Sequence, residues 1–191
     1  TTARIVACKV EDPVITVTGM NPIVGTMTGQ AGDKSAAGDS MSQIWDTYST
    51  GGSISVNSGN PAANSGGYAG GFVGLNNGYI TRSFATTSPI DFQVPGASAG
   101  DPPVDAQQGF GTMGTEYTAA EGGDIVDCYS VLPDANTGVK QMPEAWPGGW
   151  ASYSGIWPII TTGWLSGPSG NFWYSDGVRP STYPSLQWER K

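Results

Sequence analysis

The chain has 191 residues, a formal net charge of −8 from 16 acids against 8 bases, and no histidine. That length allows one domain with a real core, or one large elongated domain. The absence of a basic stripe argues against nucleic acid and against an anionic lipid surface as partners, and the absence of histidine removes Ser/His/Asp and Cys/His catalysis.

Gly is 29 residues and Pro 14, while charged residues are only 13%. Such a chain lacks the Ala, Leu, Glu, Lys and Arg that fill surface helices. Thr, Ser, Val, Ile, Tyr and Trp between Gly, Pro and Asn turns predict an all-β protein of many short strands. Low charge with abundant Ser, Thr, Asn and Gly reads as a secreted or surface protein. No apolar run approaches the roughly 20 residues of a spanning helix. The sequence opens at Thr1 with no leader pattern, which reads as a mature product or a fragment whose targeting segment has been removed.

In chain order, RIVACKV at 4–10 comes first. PIVGTMTG at 22–29 is followed by QIWDTYSTG at 43–51, GGFVGLNNG at 70–78 by YITRSFATT at 79–87, and QGFGTMG at 108–114 by DIVDCYSVL at 124–132. TTGWLSGPSG at 161–170 with NFWYSDG at 171–177 reads as a fourth, degenerate copy, and RIVACKV as a second half standing alone. Aligned, the second halves put Ile5, Ile44, Ile80 and Ile125 in one column. Cys8, Thr47, Ser83 and Cys128, all small, make another, and Lys9, Tyr48, Phe84 and Tyr129 a third. The small-residue positions are spaced by 39, 36 and 45 residues, so the units carry insertions of different length.

One such unit has too narrow an apolar face to bury alone; stacking places Ile on Ile and aromatic on aromatic. Small residues in one column fit a tight corner, and Asn76-Asn77-Gly78 is a turn signal between two apolar pieces. The expected fold is a right-handed parallel β-helix, a solenoid, with Phe72, Ile80, Ser83 and Phe84 in its interior. A β-sandwich is the alternative, but it does not require equivalent positions to match in size.

GGFVGLNNGYITRSFATT resembles the repeat of the bacterial GLUG-motif family, roughly GG-apolar-VG-x-N-x-G-x-I-x-x-[SC]-[YF]-A-x-G. IVDCYS at 125–130 matches its second half. PIVGTMTG departs by losing one glycine of the pair, and Gly111-Thr112 stands where Val-Gly is expected. TYPSLQWE at 182–189 is similar to the ending that often follows the last such repeat. The resemblance implies a secreted or surface-attached, adhesin-like bacterial protein with right-handed β-helical repeats. Relatives of that kind with peptidase activity carry a separate zinc domain, and no HExxH occurs here.

The columns also bear on Cys8 and Cys128. A secreted protein with two cysteines invites a disulfide. Three ladder steps of about 4.8 Å would separate these two by roughly 14 Å, beyond the ~7 Å Cα limit. Two free, buried thiols are expected.

Stacking forces insertions outward, and 30–40, 56–68 and 94–108 read as surface loops. Residues 1–145 are expected to form the repeats. Residues 146–191 are expected to form a Trp-rich last repeat and cap in the same continuous domain. Six of the seven tryptophans lie there: Trp146, Trp150, Trp157, Trp164, Trp173 and Trp188. Aromatics suit an end cap. They also suit a sugar platform, with Trp146, Trp150, Tyr153 and Trp157 as the candidate binding residues and Asn171, Asp176 and Arg179 as nearby polar groups, or a protein interface.

Carboxylate groups such as Glu121/Asp124/Asp127 and Asp101/Asp105 are the remaining enzyme option, and they read as solvated loop charge. Asp46 and Asp127 share a column with Arg82 and Ala7, as an outward, unconstrained position would. Calcium is weakly suggested by the loop acids, without D-x-D-x-D-G spacing. No catalytic residue, metal site or cofactor is therefore expected. The expected function is a non-enzymatic adhesion or extracellular-assembly module, with a carbohydrate-binding module and a glycan-cleaving enzyme as alternatives. The expected partners are a surface glycan or protein, and, at an open N-terminal edge, another subunit or the continuation of a longer chain, since RIVACKV lacks its first half.

Overall fold

The computed structural model describes residues 3–32, 42–59, 67–94, 109–113, 124–132, 134, 138–141, 173–174 and 185–189. The chain divides into two compact units, Thr1–Met142 and Pro143–Lys191. No α-helix occurs among the described residues.

In the first unit the strands fall into successive rungs. The first rung holds β1 (Arg4–Val6), β2 (Lys9–Glu11), β3 (Val14–Gly19), β4 (Ile23–Gly25) and β5 (Thr28–Ala31). The second holds β6 (Gln43–Trp45), β7 (Tyr48–Thr50), β8 (Ser53–Ser58), β9 (Tyr68–Gly70) and β10 (Val73–Asn76). The third holds β11 (Tyr79–Thr81), β12 (Phe84–Ala85), β13 (Ile90–Gln93) and β14 (Thr112–Met113), and the fourth β15 (Asp124–Val126) and β16 (Cys128–Ser130). Each strand pairs in parallel with its counterparts in adjacent rungs, giving sheets ordered β1-β6-β11-β15, β3-β8-β13, β14-β10-β5 and β4-β9. A last strand, β17 (Val139–Gln141), extends the remaining sheet to β17-β16-β12-β7-β2. The chain is thus all-β with parallel sheets in a β-helix-like arrangement.

The register is the one that the sequence columns predict. Ile5, Ile44, Ile80 and Ile125 are successive partners, as are Lys9, Tyr48, Phe84 and Tyr129. A further ladder pairs Ile15, Ile54 and Ile90, then Val17, Val56 and Phe92. Among the described residues, two apolar clusters stand out. One contains Ile44, Phe72, Val73, Ile80, Phe110, Ile125 and Cys128, with the Phe72 and Phe110 rings 4.7 Å apart. The other contains Val24, Ile54, Val56, Ala69, Ile90 and Phe92. Phe84 is fully buried but alternates with Ala85 of the first cluster, so its ring lies on the other sheet face. There it stacks on Tyr48 with centroids 4.8 Å apart.

Several expectations are corrected. PIVGTMTG does not align on GGFVG as its letters suggest. Gly25 pairs with Gly70 and Thr28 with Val73, so GTMTG at 25–29 is the true counterpart. The reason is volume: Met27 packs against the Phe72 cluster, whereas Ile23 is 37% exposed beside Tyr68. The expected loops are narrower, because Gln30–Ala31 finish β5, Val56–Ser58 finish β8 and Tyr68 opens β9. Asn76-Asn77-Gly78 is a corner between strands of different sheets and not a hairpin turn; Asn76 Oδ1 accepts from the Gly78 amide at 2.9 Å. Gly74 has a packing reason: a Cβ there would meet the Val24 nitrogen at 2.7 Å.

In the second unit, β18 (Trp173–Tyr174) pairs antiparallel with β19 (Ser185–Leu186). NFWYSDG therefore does not supply another parallel rung at Trp173–Tyr174. The fifth member of the β2 sheet is instead β17, which places Val139 beside Cys128.

Candidate functional site

The best-built polar feature is the corner between the first two strands of each rung. Ala7, Asp46, Arg82 and Asp127 all adopt positive φ, between 48° and 53°. This is left-handed backbone that L-residues enter at some cost. Asp46 is not the unconstrained outward position expected. It is fully buried, and Arg82 donates from Nε to Oδ1 at 3.0 Å and from Nη2 to Oδ2 at 3.1 Å. A bidentate, charge-assisted pair between adjacent rungs offsets part of the strain.

The small-residue column follows that corner. In every rung its side chain donates to the carbonyl two residues back: Cys8 Sγ to Val6 (3.3 Å), Thr47 Oγ1 to Trp45 (2.8 Å), Ser83 Oγ to Thr81 (3.0 Å) and Cys128 Sγ to Val126 (3.4 Å). The same atom accepts an amide from the preceding rung. Cys8 N–H reaches Thr47 Oγ1 at 3.5 Å, and Thr47 N–H reaches Ser83 Oγ at 3.3 Å. A side chain that both donates and accepts from this one position must be Ser, Thr or Cys, which accounts for the composition of the column.

Both cysteines are free. Cys128 is buried as expected; Cys8 is exposed, contrary to expectation, and the strands that flank it, β1 and β2, are the end strands of their sheets among the described residues. Burial pushes the Cys128 thiol far above its ordinary value, and the hydrogen bond from the Ser83 backbone opposes this. Tyr129 is pushed up to about 12, first by burial and then by the Asp127 carboxylate. Ser49 Oγ, close to Thr87 Oγ1 at 3.1 Å, donates to the Gly71 carbonyl at 3.2 Å and ties a second corner.

A different patch lies on the outer face of the β1-β6-β11-β15 sheet. Gln43 and Trp45 flank the core residue Ile44 and so point away from the core. The Arg4 guanidinium lies 5.5 Å from the Trp45 ring centroid, and Tyr79 is the ladder partner of Gln43. Among the described residues, Gln43 Oε1 and Trp45 Nε1 are the buried side-chain atoms with no hydrogen-bond partner.

Trp146, Trp150, Tyr153 and Trp157 lie outside the described residues, as do Asn171, Asp176 and Arg179. Trp188 is 54% exposed within a 3-10 turn, Gln187–Glu189, where Glu189 Oε1 accepts the Leu186 amide at 2.7 Å. Of the carboxylate candidates, Asp101, Asp105 and Glu121 are also outside the described residues, and Asp127 is exposed. Among the described residues no three His, Cys, Asp or Glu side chains are placed to hold a metal. Sequence reasoning missed the Asp46–Arg82 pair, although opposite charges at one column position in adjacent units were its signal. It also missed the Trp45 patch, which a tryptophan beside a core isoleucine would have flagged. No family model, curated protein or solved structure matches the chain.

Proposed function

We propose that the protein is a non-enzymatic module, a right-handed β-solenoid of a secreted or cell-surface bacterial protein, that serves adhesion or extracellular assembly. The observation that carries this reading is the use of its polar side chains. Asp46, Arg82, Thr47, Ser83, Cys128, Ser49 and Asn76 hold corners and rungs together. Rigid, repetitive corners support a display scaffold whose insertions face outward.

A second reading, carbohydrate binding, is supported by the outer-face patch of Arg4, Gln43, Trp45 and Tyr79. The half-buried indole of Trp45, with the Arg4 guanidinium beside it, suits the apolar face of a pyranose ring. The test is a glycan array run beside a cell-attachment assay and a reducing-sugar assay. Attachment of protein-coated beads without sugar release is the expected result. Specific glycan binding that is lost in Trp45→Ala moves the assignment to the second reading. Sustained sugar release overturns both.

A further inference from the structure

The corner that joins the second rung to the third carries the chain's one Asn-Gly pair, Asn77-Gly78. In an unfolded chain such a pair modifies itself. The Gly78 nitrogen gives up its proton to solvent and attacks Asn77 Cγ. A C–N bond forms, and the side-chain nitrogen takes a proton and leaves as ammonia. Water then opens the succinimide at either carbonyl, giving isoaspartate or aspartate. Glycine as the following residue favours this reaction, because no Cβ obstructs the attacking nitrogen.

The fold holds the reacting groups still. Asn76, Asn77 and Gly78 are all buried, Asn77 with 3% exposure. The Gly78 N–H, whose loss starts the reaction, donates to Asn76 Oδ1 at 2.9 Å. On either side, the Asn77 N–H donates to the Ala31 carbonyl at 2.7 Å and the Tyr79 N–H to the Ser42 carbonyl at 2.8 Å, each one rung back. Packing is equally close. A Cβ on Gly78 would meet the Ser42 carbonyl oxygen at 2.6 Å, and one on Gly32 would meet the Asn77 carbonyl oxygen at 2.5 Å. Attack therefore requires the corner to open.

We propose that Asn77 is a modification site gated by this corner, and that its deamidation makes an opening of the stack permanent. The closed corner spares the amide; each opening exposes it to the Gly78 nitrogen. Isoaspartate lengthens the main chain by a methylene and places a carboxylate where Asn77 is sealed. The closed corner has no room for the first, and an uncompensated charge is costly to bury there. The corner between β10 and β11 then stays open. Asn76 is a positioning residue, acting through the Gly78 N–H that it holds. The device needs water and no partner, and it is independent of the adhesion reading.

The experiment follows isoaspartate in the full protein and in a peptide of residues 73–84, VGLNNGYITRSF, by digestion and mass spectrometry after incubation in mildly alkaline buffer. The native protein is expected to convert about a hundredfold more slowly than the peptide, and converted molecules to lose hydrogen-exchange protection at Asn77 and Tyr79. Asn76→Ala should speed native conversion about tenfold. Asn76→Ser should restore the slow rate, because its hydroxyl also accepts the Gly78 N–H. Exchange at Ile54 and Val56 in β8 should be unchanged in both variants, which separates the corner from the whole fold. Equal rates in protein and peptide overturn the proposal. So does an Asn76→Ala rate equal to wild type, a matching rise in Ile54 exchange, or a converted protein that keeps its protection at Tyr79. If Asn76→Ala does not fold, wild type in sub-denaturing urea decides. Conversion must then rise in step with Tyr79 exchange, and conversion indifferent to urea overturns the gate.

Discussion

The first and third rungs use the same columns and differ in what surrounds them. Ile5 and Ile80 occupy one column, yet Ile80 is fully buried and Ile5 is not. Cys8 and Ser83 make the same hydrogen bond to the carbonyl two residues back, one in the open and one sealed. Local conformation is therefore set within each rung by its own residues. Burial is conferred by the neighbours above and below. A nearest-neighbour system of this kind should show mutational effects that depend on position in the stack more than on residue type.

The largest test of that contrast is in the core. Phe72→Ala is expected to lower the unfolding free energy by about 3–5 kcal/mol, and Ile80→Ala by about 2–5 kcal/mol, through lost transfer energy and a cavity between rungs. Ile5→Ala removes the same atoms from a half-covered site and should cost about 1 kcal/mol. Urea titrations of Ile80→Ala and Ile5→Ala would measure the difference. Equal losses would mean that the first rung is as enclosed as the third.

Much of this was legible from letters because a stacked fold writes its register into equivalent positions. The isoleucine and aromatic columns emerge as actual ladder partners, and the small-residue column as hydrogen bonds from rung to rung. The VITVTG, SISVNS and IDFQ ladder was equally legible by its period of two and was not read. What stayed hidden has physical causes. The GTMTG alignment was obscured because methionine can fill a phenylalanine site while sharing no letters with it. The left-handed corner was hidden because Asp, Arg and Ala stand where glycine would have announced positive φ. The exposure of Cys8 depends on what lies beyond its rung, which its own residues do not encode. Of the candidate sites, the tryptophan-rich stretch falls outside the described residues, and the Trp45 patch needed strand alternation to be seen.

A second, smaller effect separates the sealed end of the small-residue column from the rest of the chain. Cys128 has its thiol raised from an ordinary 9.0 by burial, and Tyr129 its phenol from 10.0 to about 12. Both are acids that ionise more readily in the unfolded chain. Their contribution is fully present below the unfolded values and is lost as pH rises above them. Stability should therefore hold to about pH 9 and then fall, by up to about 1.4 kcal/mol per pH unit for the cysteine alone. Cys128→Ser should move the onset of that fall toward pH 10, where Tyr129 begins to contribute. Thermal melts from pH 7 to 11 would show it. An identical profile for the variant would place the alkaline loss elsewhere.

The smallest contrast is within the left-handed column, between Asp46 and Asp127. Both hold φ near 50°. Asp46 is buried and grips Arg82, while Asp127 is exposed and its carboxylate opposes ionisation of Tyr129. Glycine relieves left-handed strain at either position but adds backbone entropy to the unfolded chain. At Asp127 little else is lost, so Asp127→Gly should stabilise by about 0.5 kcal/mol. At Asp46 the same change removes two charge-assisted hydrogen bonds and should destabilise by about 1–3 kcal/mol. The signs matter more than the sizes. If both variants stabilise, the Asp46–Arg82 pair contributes nothing to the stack; if both destabilise, the corner carries no relievable strain, and its left-handed residues are held by the rungs on either side.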